Sequence, residues 1–181
     1  GVACLGEGAA IAEGWAAWSE AADRWLSERF LRHGVPRDVV DAALRPGWVH
    51  RDWAEPVRVD RRLRPGETLS LRDRELRVEH LPGHSPWDTV FVDEESRLAL
   101  GGDVLLASTP PNALLTMPDP GRPDRPGPLG VYRRSLERLR TFGLAGLLPG
   151  HGPVVGDHRA LVEKRLAAQR ERAAALEALL E

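Results

Sequence analysis

Two nearly identical turns in the second half of the chain constrain its fold more than any other feature. One is LPGHSP at 81–86, and the other is LPGHGP at 148–153. Each follows a short apolar stretch of the kind that forms a buried β-strand. A third such stretch runs into Gly-Gly-Asp, which ends at Asp103. The pattern therefore predicts three metal-binding side chains, His84, Asp103 and His151, each at the end of a strand.

The chemistry of these turns explains why they suit a rigid site. A ligand must be held with its ring or carboxylate directed away from the sheet, and a strand end supplies a firm base. Glycine permits backbone conformations that other residues avoid, and proline fixes the turn. Two imidazoles and one carboxylate suit zinc, and also iron or manganese. A plain hairpin with a surface histidine explains one such turn, but it explains two turns and a Gly-Gly-Asp much less well.

Composition limits the class of protein. With 181 residues, 42% of them hydrophobic, the chain is large enough for one globular domain with a core. Its formal net charge of −2 disfavours a nucleic-acid-binding protein, although it does not exclude a local basic face that contacts nucleic acid. The single cysteine, Cys4, excludes an internal disulfide and a CxxC metal site. Because no apolar run reaches the roughly 18 residues of a membrane span and no signal peptide is recognisable, a cytoplasmic protein is expected.

The spacing of apolar residues predicts the elements that carry the turns. Helical spacing predicts helices at 9–32, 37–44, 129–141 and 157–180, the second ended by Arg45-Pro46-Gly47. Short alternating or apolar stretches predict strands at 2–5, 56–60, 68–73, 75–81, 89–95, 97–103 and 145–150. The tryptophan stripe of the first helix is interpreted as core or as an interface between helices. Residues 109–128 hold seven prolines and form a long loop, which is usually functional or disordered.

The other histidines and one serine are interpreted without a metal. His33, His50 and His158 lie at predicted helix ends or in connections, which is typical of surface or capping residues. His80 lies on a predicted strand and is interpreted as a hydrogen-bonded or supporting histidine rather than a ligand. Ser85 belongs to G-H-S-P and not to the GxSxG of serine hydrolases, so a serine-hydrolase site is disfavoured.

The order of these motifs resembles the metallo-β-lactamase superfamily. The resemblance rests on LPGHSPWDTVFVDEESRLALGGD, on LLPGHGPVV and on the long terminal helix, and it covers roughly 56–181. The pattern is similar to the hydrolase branch that contains glyoxalase II-like thioesterases and a β-lactamase-like endoribonuclease. The resemblance implies an α+β fold in which this chain is the C-terminal part of an αββα sandwich. Within one partial domain at 1–181 it implies a helical insert at 9–45, a β-rich core at 56–156 and a C-terminal helix at 157–181.

The resemblance also implies roles for the three predicted ligands. His84 matches the histidine that completes a first metal site, Asp103 the catalytic carboxylate that bridges two metals, and His151 the histidine of the second site. Two ions, usually zinc, are therefore expected in the full-length parent. The family signature HxHxDH is absent here. We therefore expect that the chain begins after that motif, and that alone it binds metal weakly and hydrolyses little.

The predicted function is a metal-dependent hydrolase whose small-molecule substrate is an ester, a thioester or a lactone. The alternatives are a truncated or degenerate non-catalytic domain, an endoribonuclease, and a nonheme-iron oxygenase of the same fold. Because a partial domain leaves sheet edges or a core face uncovered, a homodimer or a complementing chain is expected. Asn112 and Tyr132 are candidate pocket residues, although a turn asparagine and a packed tyrosine are simpler interpretations.

Overall fold

The computed structural model describes residues 1–51, 53–118 and 127–180, without the side chains of 48–50. The described chain divides into two compact units. The first contains Gly1–Arg64 and residues 115–118, and the second contains Pro65–Leu114 and residues 127–180. The predicted organisation, one partial domain with an insert at 9–45, stays a prediction. Residues 119–126 of the predicted proline-rich loop lie outside the described residues.

Three helices and a two-stranded sheet make up the first unit. Strands β1 (Ala3–Leu5) and β2 (Arg61–Leu63) pair in parallel. The helices are α1 (Gly6–Glu13), α2 (Trp15–Arg32) and α3 (Arg37–Arg51). Its buried apolar side chains come from both strands' ends, the helices and the segment before β2: Leu5, Ala9, Val40, Leu44, Val59 and Leu63.

The single helix predicted over 9–32 is interrupted at Gly14. The Gly14 amide donates to the carbonyl of Ala10 at 3.0 Å and closes α1, and its own carbonyl accepts from Trp18 at 3.0 Å in the first turn of α2. Glycine is a poor helix former, so an interruption at this position costs little. The tryptophan stripe packs partly on itself, since the rings of Trp15 and Trp18 stack with their centroids 6.0 Å apart.

Helix α3 is longer than predicted, because it passes through Pro46 instead of ending there. A proline inside a helix costs about 3 kcal/mol, so tertiary contacts must offset that cost. The ion pair between Arg51, in the last turn of α3, and Asp23 of α2 is such a contact. The strand predicted at 56–60 is also wrong in position, since β2 begins at Arg61.

A five-stranded mixed sheet forms the centre of the second unit. Its strands, in their order across the sheet, are β3 (Thr68–Ser70), β4 (Glu75–His80), β5 (Thr89–Asp93), β6 (Leu98–Gly102) and β7 (Gly146–Pro149). The pairs β3–β4, β4–β5 and β5–β6 are antiparallel, and β7 pairs in parallel with β6. Strands β4, β6 and β7 therefore all end at the same edge of the sheet. The predicted strands of this unit are confirmed, each somewhat shorter.

The helices predicted at 129–141 and 157–180 are confirmed as α4 (Pro128–Arg140) and α5 (His158–Glu177), and both pack on one face of this sheet. Asp157 caps α5 by accepting a hydrogen bond from the amide of Ala160 at 3.0 Å. The core between sheet and helices contains Leu81, Val90, Val92, Ala99, Tyr132, Leu136, Leu139, Leu147, Val162 and Leu166. On the other face of β6 and β7, three leucines are exposed, namely Leu98, Leu100 and Leu148. Within the described part of the chain, every helix falls short of the length and apolar character needed to cross a lipid bilayer.

Candidate metal centre

The three predicted ligands meet at one edge of the sheet in the second unit. His84 follows β4, Asp103 follows β6, and His151 follows β7. The Nε2 atom of His84 lies 3.9 Å, and that of His151 3.7 Å, from the same oxygen, Oδ2 of Asp103. The shared strand edge explains this convergence, since the three strands that end there place their following turns side by side. The role of these residues as metal ligands stays a prediction.

The spacing of these donors is slightly wider than a closed zinc site requires. Two ligand atoms on one tetrahedral zinc lie about 3.3 Å apart, given metal–ligand distances near 2.0–2.1 Å. The nitrogen-to-oxygen distances at Asp103 exceed that value. Among the described residues, no group of three or more His, Cys, Asp or Glu side chains is arranged to hold a metal ion alone. The three donors thus form an open, partial site.

The ring of His84 has a defined tautomer. Its Nδ1 lies 2.9 Å from the backbone carbonyl oxygen of Asn112. A carbonyl oxygen only accepts hydrogen bonds, so Nδ1 must carry the hydrogen. In the neutral ring the lone pair is then on Nε2, the atom that faces Asp103. This arrangement, with one nitrogen bonded to a carbonyl and the other free to bind, is typical of histidine ligands. Asn112 thus acts through its main chain, which no sequence motif reveals.

Hydrogen bonds inside the turn hold the backbone around His84. The carboxylate of Asp88 accepts from the Ser85 amide at 2.8 Å and from the Ser85 hydroxyl at 2.5 Å. Burial raises the pKa of the Asp88 carboxyl, although the hydrogen bonds from Ser85 oppose this effect. Nε2 of His80 lies 2.7 Å from the carbonyl oxygen of Pro86, which confirms that His80 is a hydrogen-bonded histidine. The Ser85 hydroxyl is committed to Asp88, so a serine nucleophile finds no support here.

Asp103 has one carboxylate oxygen that is buried without a partner. Its Oδ1 has no hydrogen-bond partner among the described residues. Burying a polar atom without a partner costs free energy, and burying a charged one costs more. A Cβ on Gly150 would lie 2.7 Å from this Oδ1, so a side chain at this position would displace the carboxylate. A carboxylate with an unpaired oxygen beside two imidazoles is a donor set whose chemistry suits a metal ion, although the spacing of the three side chains is open.

Tyr132 is a packed residue rather than a pocket residue, which confirms the simpler interpretation. It is 2% exposed, and its hydroxyl donates to the carbonyl of Val104 at 2.8 Å. Burial raises the pKa of the Tyr132 hydroxyl far above its usual range.

The predicted surface or capping role is confirmed for His33 and wrong for His158. His33 is exposed at the end of α2. His158 is only 3% exposed, and its Nε2 lies 3.1 Å from the carbonyl oxygen of Phe142. Since α5 packs against the sheet, its first residue is carried into the interior, a tertiary effect that local sequence does not show. The side chain of His50 lies outside the described residues.

Comparison with known proteins identifies the family. The family model of the metallo-beta-lactamase superfamily matches residues 10–151. The probable metallo-hydrolase YqjP of Bacillus subtilis is 41% identical over 95 residues, which are 52% of this chain and 30% of that protein. An acyl-coenzyme A thioesterase of Gallus gallus is 39% identical over 82 residues, which are 45% of this chain and 26% of that protein.

A solved structure extends the similarity to the whole fold. The crystal structure of a metallo-beta-lactamase family protein from Thermus thermophilus superposes with a TM-score of 0.78 and 31% identity, covering 99% of this chain and 56% of that one. This chain thus spans about half the length of that protein and under a third of the two curated relatives. The predicted α+β fold is confirmed. Because the family model spans most of the sequence and the superposition nearly all of it, the chain belongs to the metallo-β-lactamase superfamily, whose members bind metal ions.

Proposed function

We propose that this protein is a metal-dependent hydrolase that cleaves an ester or thioester in a small-molecule substrate. One observation carries the proposal: two imidazole Nε2 atoms face the same oxygen of Asp103 at 3.7 and 3.9 Å, and the other oxygen of this carboxylate is buried without a described partner. The relatives named above are a probable metallo-hydrolase and an acyl-coenzyme A thioesterase, which supports the ester or thioester class.

The residues of this chain would contribute by holding and orienting. His84 and His151 would bind metal through Nε2, and Asp103 would bind through Oδ2 between them as the bridging carboxylate. A bound metal supplies two things: it lowers the pKa of a water so that hydroxide is available near neutral pH, and it stabilises the negative charge that develops on the substrate. We propose zinc, as two ions, with iron and manganese as the alternatives that the same donors accept.

Zinc titration of this chain by isothermal calorimetry tests the assignment of the ligands. We expect weak binding to the unmodified chain, because three side chains are fewer than two zinc ions require. His84→Ala, His151→Ala and Asp103→Asn should each reduce that binding further. The control His33→Ala removes an exposed histidine of the first unit and should leave it unchanged. Tight binding of two ions by the unmodified chain would contradict the conclusion that the site is partial. Equal zinc binding in all variants would contradict the assignment of these three residues as ligands.

The activity itself is tested on the natural chain that contains this sequence. We expect zinc-dependent hydrolysis of an acyl-coenzyme A or another thioester, abolished by Asp103→Asn. Hydrolysis of RNA in place of thioesters would favour the endoribonuclease alternative, which the net charge of −2 does not support. Sedimentation of the same sample tests the proposed homodimer or complementing chain.

A non-catalytic domain is the second candidate function. The observation that favours it is the open spacing of the donors, since no described group of three or more ligand side chains holds a metal alone. If the natural chain binds no zinc and hydrolyses none of the thioesters, this second candidate replaces the first.

A further inference from the structure

Two hydrogen bonds join His84 to the main chain of the segment that begins after Pro111, one through its ring and one through its backbone. The carbonyl of Asn112 accepts from Nδ1 of the His84 ring at 2.9 Å. Two residues later, the amide of Leu114 donates to the backbone carbonyl of His84 at 3.1 Å. The segment 112–114 therefore holds both the ring and the main chain of one residue, although 28 residues separate His84 from Asn112.

These two bonds have different consequences for the ring. The bond from Leu114 fixes where the backbone of His84 lies. The bond to Asn112 fixes the rotation of the ring and the position of its hydrogen. A neutral imidazole without this partner exchanges between two tautomers, and only the Nδ1–H tautomer presents a lone pair at Nε2. Because the His84 side chain is about one-third exposed, packing alone does not hold its ring.

The residues that precede Asn112 restrict the segment further. Pro110 and Pro111 are consecutive, and each ring locks its own φ angle. The second proline also restricts the backbone of the first. Asn112, whose carbonyl accepts the bond from His84, therefore directly follows a stretch of chain with few accessible conformations. Such a stretch loses little conformational entropy when that hydrogen bond forms.

We propose that the segment Asn112–Leu114 positions His84 for metal binding, by holding its backbone and fixing its ring as the Nδ1–H tautomer. The inference rests on the proposed function, because it takes His84 as a metal ligand. The proposed tautomer of His84 is a property of the metal-free chain, so it can be measured independently of metal binding. Asn112 and Leu114 are positioning residues, and both act through main-chain atoms rather than side chains.

The variant Leu114→Pro tests this, because proline has no amide hydrogen to donate to His84. Leu114→Ala is the matched control: it keeps the amide and removes a side chain that is 43% exposed. In the metal-free chain, ¹⁵N NMR of the imidazole should show one Nδ1–H tautomer for the unmodified protein and for Leu114→Ala. For Leu114→Pro we expect a mixture of tautomers and zinc affinity lower by about 10- to 100-fold, the usual effect of losing a ligand's supporting contact.

Two further variants keep the test decisive. Pro111→Gly releases the restricted stretch without touching any hydrogen bond, so it should produce the same mixture to a smaller extent, even if Leu114→Pro fails to fold. Asn112→Ala keeps the carbonyl and should leave the tautomer unchanged.

A folded Leu114→Pro variant with the original tautomer would overturn the proposal, and so would a changed tautomer with unaltered zinc affinity. Failure of the proposed function shows separately, as a His84→Ala variant that binds zinc like the unmodified chain.

Discussion

A Cβ atom on Gly83 would overlap Cδ2 of Tyr132, so the backbone of this turn lies directly against the tyrosine ring. The same tyrosine donates its hydroxyl to the carbonyl of Val104 at 2.8 Å. Gly83 immediately precedes His84, and Val104 immediately follows Asp103. One buried side chain of α4 therefore supports two of the turns that carry the proposed ligands. The distance between those turns depends on the packing of the core as well as on the turns themselves.

Replacing Gly83 by alanine should disturb both stability and metal binding. A methyl group here overlaps the ring of Tyr132, and core residues cannot absorb an added methyl without moving. We expect a loss of about 1–3 kcal/mol in the free energy of unfolding, measured by urea denaturation, together with weaker zinc binding. Gly143→Ala is the control, because no heavy atom lies within 4 Å of its added Cβ. If both variants are equally stable, the close contact with Tyr132 is not what requires glycine at this position.

Replacing Gly150 by alanine should weaken zinc binding more than it lowers stability. The added Cβ would lie 2.7 Å from Oδ1 of Asp103, the end of a short side chain that can rotate away. Rotation relieves the overlap but moves the carboxylate off its position between the two histidines. We expect at least roughly tenfold weaker zinc binding, as for a displaced ligand. Gly156→Ala, which adds a methyl in open space, serves for comparison. Unchanged zinc affinity in the Gly150 variant would show that the position of Asp103 does not matter.

Removing the carboxylate of Asp88 should loosen the turn that carries His84. Asp88→Ala deletes the acceptor of two hydrogen bonds from Ser85, at 2.8 Å from its amide and 2.5 Å from its hydroxyl. Hydrogen bonds to charged groups contribute about 1.5–3 kcal/mol each, so the two together contribute about 3–6 kcal/mol. Because deleting the partly buried carboxylate also removes its desolvation cost, we expect a loss at the lower end of this range, about 3 kcal/mol. Ser85→Ala removes the hydroxyl bond to Asp88 and the longer bond, at 3.3 Å, that this hydroxyl accepts from the Trp87 amide, but it keeps the bond from the Ser85 amide to the carboxylate. It should therefore cost less, measured by the same denaturation. Equal losses in both variants would mean that the bond from the Ser85 amide to Asp88 contributes no more than the bond from the Trp87 amide.

The sequence was sufficient for the parts of the fold that depend on local pattern. Alternation located the strands of the second unit, and the repeated PGH turns located His84 and His151 beside Asp103. It was insufficient wherever distant contacts decide. The passage of α3 through Pro46 depends on packing within its unit.

The same limit applies to the surroundings of the candidate site. Asn112 contributes a carbonyl that every residue type possesses, so its contact with His84 leaves no trace in composition or spacing. The overlap at Gly83 also depends on Tyr132, which lies in another element of the chain.

His158 should make the stability of the chain depend on pH. Burial lowers its pKa below the usual 6.5, and the charge of Arg159 acts in the same direction. The hydrogen bond to the Phe142 carbonyl and the charge of Asp157 oppose this shift. As the pH falls through about 6.5, the unfolded chain binds a proton that the folded chain resists. Protonation therefore favours the unfolded state, and the stability contribution is full above that pH and declines below it until the folded histidine is also protonated.

The variant His158→Gln isolates this effect, because the glutamine amide can still donate to the Phe142 carbonyl but does not titrate. Free energies of unfolding by urea, measured with a chelator from about pH 8 to about pH 5, should fall less steeply with decreasing pH in the variant than in the unmodified chain. The difference in slope for one histidine is at most about 1.4 kcal/mol per pH unit. Parallel curves would show that His158 takes up its proton equally in the folded and unfolded states, in spite of its burial beneath the first turn of α5.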